Sequence, residues 1–159
     1  PIFLAHTGDS RAYLLRDGEF SRETRDDSYV QALVDHGIIP PEAAAAHPRR
    51  NIITASLGGA EGDVVSVAER PPRVGDRWVL CSDGLTDYVP EADVARLIGE
   101  ASGPREAAAS AVALALEAGT RDNVTVVVCD VVDDDETTTV DPVFFGSAAR
   151  WFAEDVETA

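Results

Sequence analysis

Apolar and polar positions along the chain fall into short blocks that predict strands, then helices, then a mixture of both. Ile2 to Thr7 is an apolar run, broken at Gly8-Asp9-Ser10-Arg11, and Ala12 to Leu15 is a second. Arg16-Asp17-Gly18-Glu19 follows. An Asp-Gly pair between strand-like runs predicts a hairpin, because a type I′ turn needs positive φ at both central residues. From Ser28 to His36 the apolar positions Val30, Leu33 and Val34 recur at helical spacing. Gly37 stands where a helix end takes a left-handed residue. Pro40-Pro41-Glu42 opens a second short helix over Ala43 to Ala46, which Pro48 ends. Asn51 to Leu57 leads into a break at Gly58-Gly59.

The second half repeats these signals. Asp63 to Glu69 reads as a strand, and Pro71-Pro72 interrupts it. Val74-Gly75-Asp76 is a turn into a strand from Arg77 to Cys81, which stops at Ser82-Asp83-Gly84-Leu85. Glu91 to Glu100 is amphipathic, with Val94, Leu97 and Ile98 on one face. Pro104 to Ala118 is an alanine-rich helix closed by Gly119. Thr120-Arg121-Asp122-Asn123 is a tight loop, and Val124 to Val132 is a long β-branched strand, apolar enough to be central in a sheet. Beyond Val132 the acidic run Asp133-Asp134-Asp135-Glu136 and Thr137-Thr138-Thr139 cannot build a core. The expected organisation is a folded region over 1–132 and an acidic, Thr-rich tail or linker over 133–159. Phe144-Phe145 and Trp151-Phe152 in that tail either dock on the domain or a partner, or belong to a frayed end.

The chain has 159 residues, enough for one domain with a core. It opens at Pro1 and holds no methionine, so a piece of a longer protein is expected. No apolar run approaches the roughly 18 residues of a membrane span, and no signal peptide is visible. The net charge of −16 repels nucleic acid and anionic lipid. It also repels phosphorylated substrates, a cost that clustered carboxylates holding divalent cations would relieve. Cys81 and Cys129 both lie in strand-like runs, which predicts buried free thiols and a cytoplasmic location. Cys81 does not open a C-x5-R phosphatase loop, because the position an arginine would take is Asp87.

Three aspartates stand at strand ends or tight turns beside glycine or asparagine: Asp9, Asp83 and Asp122. Each alone is commonly a turn residue. Gathered at one rim of a sheet they would repel one another, an arrangement that makes sense as a hard-cation site. All-oxygen ligation favours Mg²⁺ or Mn²⁺ over zinc, and no His/Cys cluster competes. Two such ions can lower the pKa of a shared water and present hydroxide to phosphorus. His6, His36 and His47 are dispersed and read as surface or cap residues. Arg11 reads as a structural partner of carboxylates, and Trp78 as core or rim packing.

Gly8-Asp9-Ser10-Arg11-Ala12-Tyr13, Cys81-Ser82-Asp83-Gly84-Leu85 and Asp122-Asn123-Val124-Thr125 resemble three ordered motifs of the PP2C (PPM) family of metal-dependent protein serine/threonine phosphatases. Between them, Thr24-Arg25-Asp26-Asp27-Ser28, Gly37 to Ala44 and His47-Pro48-Arg49-Arg50-Asn51 are similar to the segment leading into and through that family's flap. Order and spacing match the bacterial branch, in particular the actinobacterial type that opposes Ser/Thr kinases, over roughly residues 1 to 132.

The resemblance implies an α+β fold, the family's α/β/β/α sandwich of two antiparallel sheets flanked by helices, with its N-terminal part missing. It implies that Asp83 and Asp122 coordinate a binuclear Mn²⁺ or Mg²⁺ centre. It implies that Asp9, with Asp83, holds a looser third ion, and that Gly84 and Asn123 shape the site. Residues about 37–58 match the flap. The early phosphate-contacting arginine, the acidic segment and the Asp-Gly-x-Gly-Gly motif of the family are absent, so the bridging ligand must come from an upstream half. The expected activity is hydrolysis of phosphoserine and phosphothreonine on proteins by metal-activated water, as part of a longer chain, with this chain alone inactive. The alternative is an incompetent phosphatase-like fragment acting as a binding or regulatory module. Partners implied are phosphorylated proteins and Ser/Thr kinases.

Overall fold

The hairpin signalled by Asp17-Gly18 forms as the pattern predicts. Strands β1 (Ile2–His6), β2 (Arg11–Arg16) and β3 (Glu19–Arg22) follow one another, and Asp17 and Gly18 take φ of 54° and 84°. The structure, a computed structural model, describes residues 1–59 and 61–133. The expectations for the tail, including Phe144, Phe145, Trp151 and Phe152, lie outside the described residues.

Helix α1 (Tyr29–Asp35) begins at Ser28, whose hydroxyl accepts the Gln31 N–H at 3.2 Å. It ends where the Gly37 and Ile38 N–H groups bond back to the carbonyls of Val34 and Leu33, the closure Gly37 predicts. The His36 ring sits at this end, 2.7 Å from the Ala32 carbonyl, a cap role as expected. A short α2 (Pro41–Ala44) follows, then β4 (Ser66–Arg70), β5 (Arg77–Cys81), α3 (Asp83–Thr86), α4 (Glu91–Glu100), α5 (Pro104–Glu117) and β6 (Val126–Asp130).

The strands form two antiparallel sheets. One pairs β1 with β4, and the other runs β3-β2-β5-β6. Alternation along β2, β5 and β6 sends Tyr13, Val79, Cys81 and Val126 to one face of the larger sheet. There they join a core with Leu85, Val89, Val94, Ile98 and the alanines Ala107, Ala108, Ala111 and Ala115 of α5. Alanine on the inner face of α5 lets that helix lie close to the strands. Arg77 locks the layers at one end. It pairs with Asp130 across β5 and β6 at 2.7 Å and donates to the carbonyls of Ile98 and Ala101 at the end of α4.

Three expectations are corrected. β4 begins at Ser66 rather than Asp63, and Val64 and Val65 are exposed outside it. The Asp63 carboxylate accepts the N–H groups of Gly58 and Gly59 at 2.7 and 2.8 Å, which holds this stretch as a loop. The strand expected over Val124 to Val132 is shorter, with Thr125 bonded to Ser82 at one end and Val131 to the turn at Gly75 and Asp76 at the other. It lies at the sheet edge among the described residues, not at its centre, because β5 is its one strand neighbour there. Cys81 is buried, but Cys129 is exposed. Cys129 lies opposite Trp78 on the face away from the helices, where Leu80 and Val127 are also 42% and 47% exposed.

One buried ion pair ties the hairpin to the turn before β5. Asp76, 1% exposed, accepts from Arg16 Nε and Nη2 at 2.7 Å each and from the Arg73 N–H. The Arg16 hydrogen bonds hold its carboxyl below the usual range. A carboxyl depressed on folding adds stability that is complete above its unfolded pKa and is lost as pH falls through its folded value. Urea melts of the full-length protein should therefore show wild type more stable than Asp76→Asn near neutral pH, with the gap shrinking below about pH 4. A gap that is constant with pH would refute this role. Ile98, fully buried between α4 and the sheet, sets the scale for the core. Ile98→Ala should cost about 2–5 kcal/mol in the same melts.

Candidate active site

Strand register brings three loops to one rim. Arg11 lies opposite Cys81, and Cys81 opposite Val126. Asp9 sits in the turn just before β2, Asp83 opens α3 just after β5, and Asp122 lies in the loop just before β6.

The second and third of these loops are clamped together. A Cβ on Gly84 would stand 2.3 Å from the Asn123 carbonyl oxygen, inside any tolerable contact with backbone. Only glycine therefore lets α3 and the 120–125 loop meet. Ser82 Oγ donates to the Asn123 carbonyl at 3.1 Å and accepts the Thr125 N–H at 3.0 Å. Thr120 Oγ1 donates to the Gly84 carbonyl at 2.9 Å.

A pocket of about 380 Å³ opens beside this clamp, with Asp9, Asp83 and Asp87 in its lining. Burial raises the Asp9 carboxyl above its ordinary value, and the Asp83 charge raises it further. Asp87 is raised by partial burial as well, with Arg50 opposing and Asp83 adding to the shift. Burial also pushes the Cys81 thiol up to about 11, which rules it out as a thiolate nucleophile at neutral pH. The floor is a guanidinium–carboxylate cluster. Arg11 donates to both oxygens of buried Asp26, at 3.2 and 2.8 Å, and Arg22 pairs with the same carboxylate. Arg11 is the structural partner expected of it.

Asp27 links this floor to the rest of the rim. The Gly8 N–H donates to Asp27 Oδ2 at 3.1 Å, and the Asp27 N–H donates to the Gly8 carbonyl at 2.7 Å. The Asp27 carbonyl accepts from Thr54, and the Tyr29 N–H donates to Ile52. The later part of segment 37–58, at Ile52 and Thr54, is thus fastened to the chain at Asp27 and Tyr29, and Asp27 in turn to Gly8 beside Asp9. From that segment Arg50 reaches Asp87 at 3.7 Å.

Asp9 and Asp83 share the pocket, but Asp122 does not line it. Asp122 is exposed, and its Oδ1 accepts the Asn123 N–H at 2.7 Å. No three His, Cys, Asp or Glu side chains among the described residues are gathered closely enough to hold a metal ion. The donor chemistry nonetheless fits a hard dication: the donors are carboxylate oxygens, and burial first, with the Asp83 charge adding to it, makes Asp9 and Asp87 resist ionisation. Sequence reasoning missed Asp87, Asp26, Arg22 and Arg50. Asp87 was detectable, because a residue four beyond Asp83 on a helix shares its face.

No protein-family model matches the chain. It is 46% identical over 146 residues to serine/threonine protein phosphatase PstP of Mycobacterium tuberculosis, covering 92% of this chain and 28% of that one. It is 37% identical over 130 residues to serine/threonine phosphatase stp of Listeria monocytogenes, covering 81% and 51%. A crystal structure of M. tuberculosis PstP superposes with a TM-score of 0.79, covering 82% of this chain and 55% of that one at 46% identity. The PstP catalytic domain in complex with two manganese ions superposes with a TM-score of 0.74 at 46% identity, covering 82% and 54%. The chain belongs to the PP2C (PPM) family. It has that family's two antiparallel sheets with helices, and it spans about half the length of the solved relatives.

Substitution at Gly84 separates the clamp from the fold. Gly84→Ala in the full-length PP2C-type protein should keep the far-UV circular dichroism and weaken Mn²⁺ binding by calorimetry about 10- to 100-fold, the range for residues that orient metal ligands. Unchanged affinity would show that the clamp does not set ligand geometry.

Proposed function

We propose that the chain is the C-terminal portion of a phosphatase domain that removes phosphate from phosphoserine and phosphothreonine on proteins. One observation carries this reading. The sheet register places Asp9, Asp83 and Asp122 on one rim, with Asp9 and Asp83 in one pocket, in a chain 46% identical to a Ser/Thr phosphatase. Residues 1–132 form this portion, with the flap over about 37–58, and 133–159 are its tail or linker.

In this reading Asp83 and Asp122 hold the binuclear Mn²⁺ or Mg²⁺ centre. Asp9 holds a third ion with Asp83, and Asp87 lines the same pocket. The ions supply a water acidic enough to attack phosphorus at neutral pH. The chain's own residues do the rest. Gly84 and the Asn123 carbonyl fix the distance between the two ligand loops, and Arg11, Asp26 and Arg22 stiffen the floor beneath them. Phosphorylated proteins, including Ser/Thr kinases, are the proposed substrates and partners. The free thiols Cys81 and Cys129 fit a reducing cytoplasm. Among the described residues no helix is long and apolar enough to cross a membrane.

A second reading, a phosphatase-like binding module, is favoured by the open ligand shell. The exposed apolar face at Leu80 and Val127 favours the view that this chain alone is incomplete and inactive. Both are tested by Mn²⁺-dependent hydrolysis of a small aryl phosphate, with EDTA as control. The full-length protein should be active, the present chain inactive, and Asp83→Ala should lower activity about a hundredfold or more. If the folded full-length protein neither binds Mn²⁺ nor hydrolyses the ester, the binding-module reading takes its place.

A further inference from the structure

The flap carries two adjacent arginines with different surroundings. Arg50, itself exposed, lines the pocket and faces Asp87 at 3.7 Å. Arg49 is exposed, and no carboxylate lies within ion-pairing distance of it among the described residues. Its guanidinium carbon instead lies 5.6 Å over the Tyr29 ring. Tyr29 also meets the His47 ring at 5.9 Å, and His47 Nδ1 accepts the Arg49 N–H at 3.1 Å. Tyr29 itself is fixed, as the first residue of α1, with its N–H bonded to Ile52 at 2.8 Å. Val30 and Gln31, next along the same helix, line the pocket.

We infer that Arg49, on its Tyr29 platform, is a subsite for an anionic side chain flanking the phosphoresidue in the substrate. The inference rests on the phosphatase reading above. A guanidinium held over a ring keeps its planar donor fork free for carboxylate or phosphate oxygens. Most other arginines of the domain are already matched: Arg11, Arg16, Arg22, Arg25, Arg70 and Arg77 all have carboxylate partners. In a chain of net charge −16, a cation without an ion-pair partner, next in sequence to the pocket-lining Arg50, offers negative charge on a substrate a favourable contact. The bound group is a glutamate or aspartate, or a second phosphate.

The test uses the full-length protein and four substrates. These are a phosphothreonine peptide flanked by alanine, the same peptide flanked by glutamate, the same flanked by a second phosphothreonine, and a small aryl phosphate. Unsubstituted protein should prefer a flanking anion through KM, with kcat unchanged. Arg49→Ala should remove about fivefold of that preference, the reach of an exposed ion pair. Arg49→Lys should keep part of it, and all variants should match on aryl phosphate. The glutamate and phosphothreonine arms distinguish the two sources of negative charge. If aryl phosphate is hydrolysed but no flanking preference exists, or the preference survives Arg49→Ala, the subsite is refuted and the phosphatase reading stands. A loss in Arg49→Ala that is equal on all four substrates also refutes it, since that marks a general effect on the flap. If the unsubstituted protein hydrolyses none of them, the phosphatase reading falls and the subsite with it.

Discussion

The approach of Gly84 to the Asn123 carbonyl is the contact on which the geometry of the rim depends. Sheet register can bring β2, β5 and β6 to a common edge, but it cannot set how far the loops beyond them diverge. That spacing is set where α3 begins. A side chain at position 84 would collide with backbone, which cannot swing aside as a flexible side chain can. The Ser82 and Thr120 hydroxyls then stitch the two loops from either side. A turn-forming residue and a helix start thereby become one rigid unit carrying Asp83 and Asp122.

Charge is arranged in layers around that unit. Asp9, Asp83 and Asp87 face the pocket, and burial with mutual repulsion keeps Asp9 and Asp87 reluctant to ionise. Beneath them Asp26 is neutralised by two guanidinium groups. The contrast explains why crowded carboxylates coexist here. The most buried one, Asp26, is paired with guanidinium groups of the fold, whereas Asp9 and Asp83 face the pocket without an arginine partner among the described residues. Arg50 is the fold's own partial counter-charge, and it comes from the segment fastened at Ile52 and Thr54 to Tyr29 and Asp27.

Most of the fold was legible in the sequence. The Asp17-Gly18 hairpin, the Ser28 cap, the Gly37 closure and the α4 face each follow from local rules about φ or helical spacing, and local rules are visible in sequence. The aspartate motifs were legible for the same reason: each is a strand end beside a turn. What failed depended on neighbours far along the chain. Whether β6 is central or edge depends on which strands lie beside it, and Cys129 is exposed because it lies on that edge strand, whereas Ala12, Leu14 and Trp78 on the same face are buried. The extra β4 residues were lost to a side-chain-to-backbone capture by Asp63, which no alternation pattern encodes.

The site divides along the same line. Identity of the ligating residues is local, whereas the floor under them is not. Asp26 is drawn to Arg11 across the hairpin, and Arg50 to Asp87 across the pocket, so neither pair shows in any short window of sequence. The exposure of Leu80, Val127 and Cys129 has a cause of this kind. In a two-sheet fold the apolar face of one sheet is buried by the other. Here the second sheet has two strands among the described residues, β1 and β4. A sheet that small leaves apolar surface uncovered where β5 and β6 run beyond it.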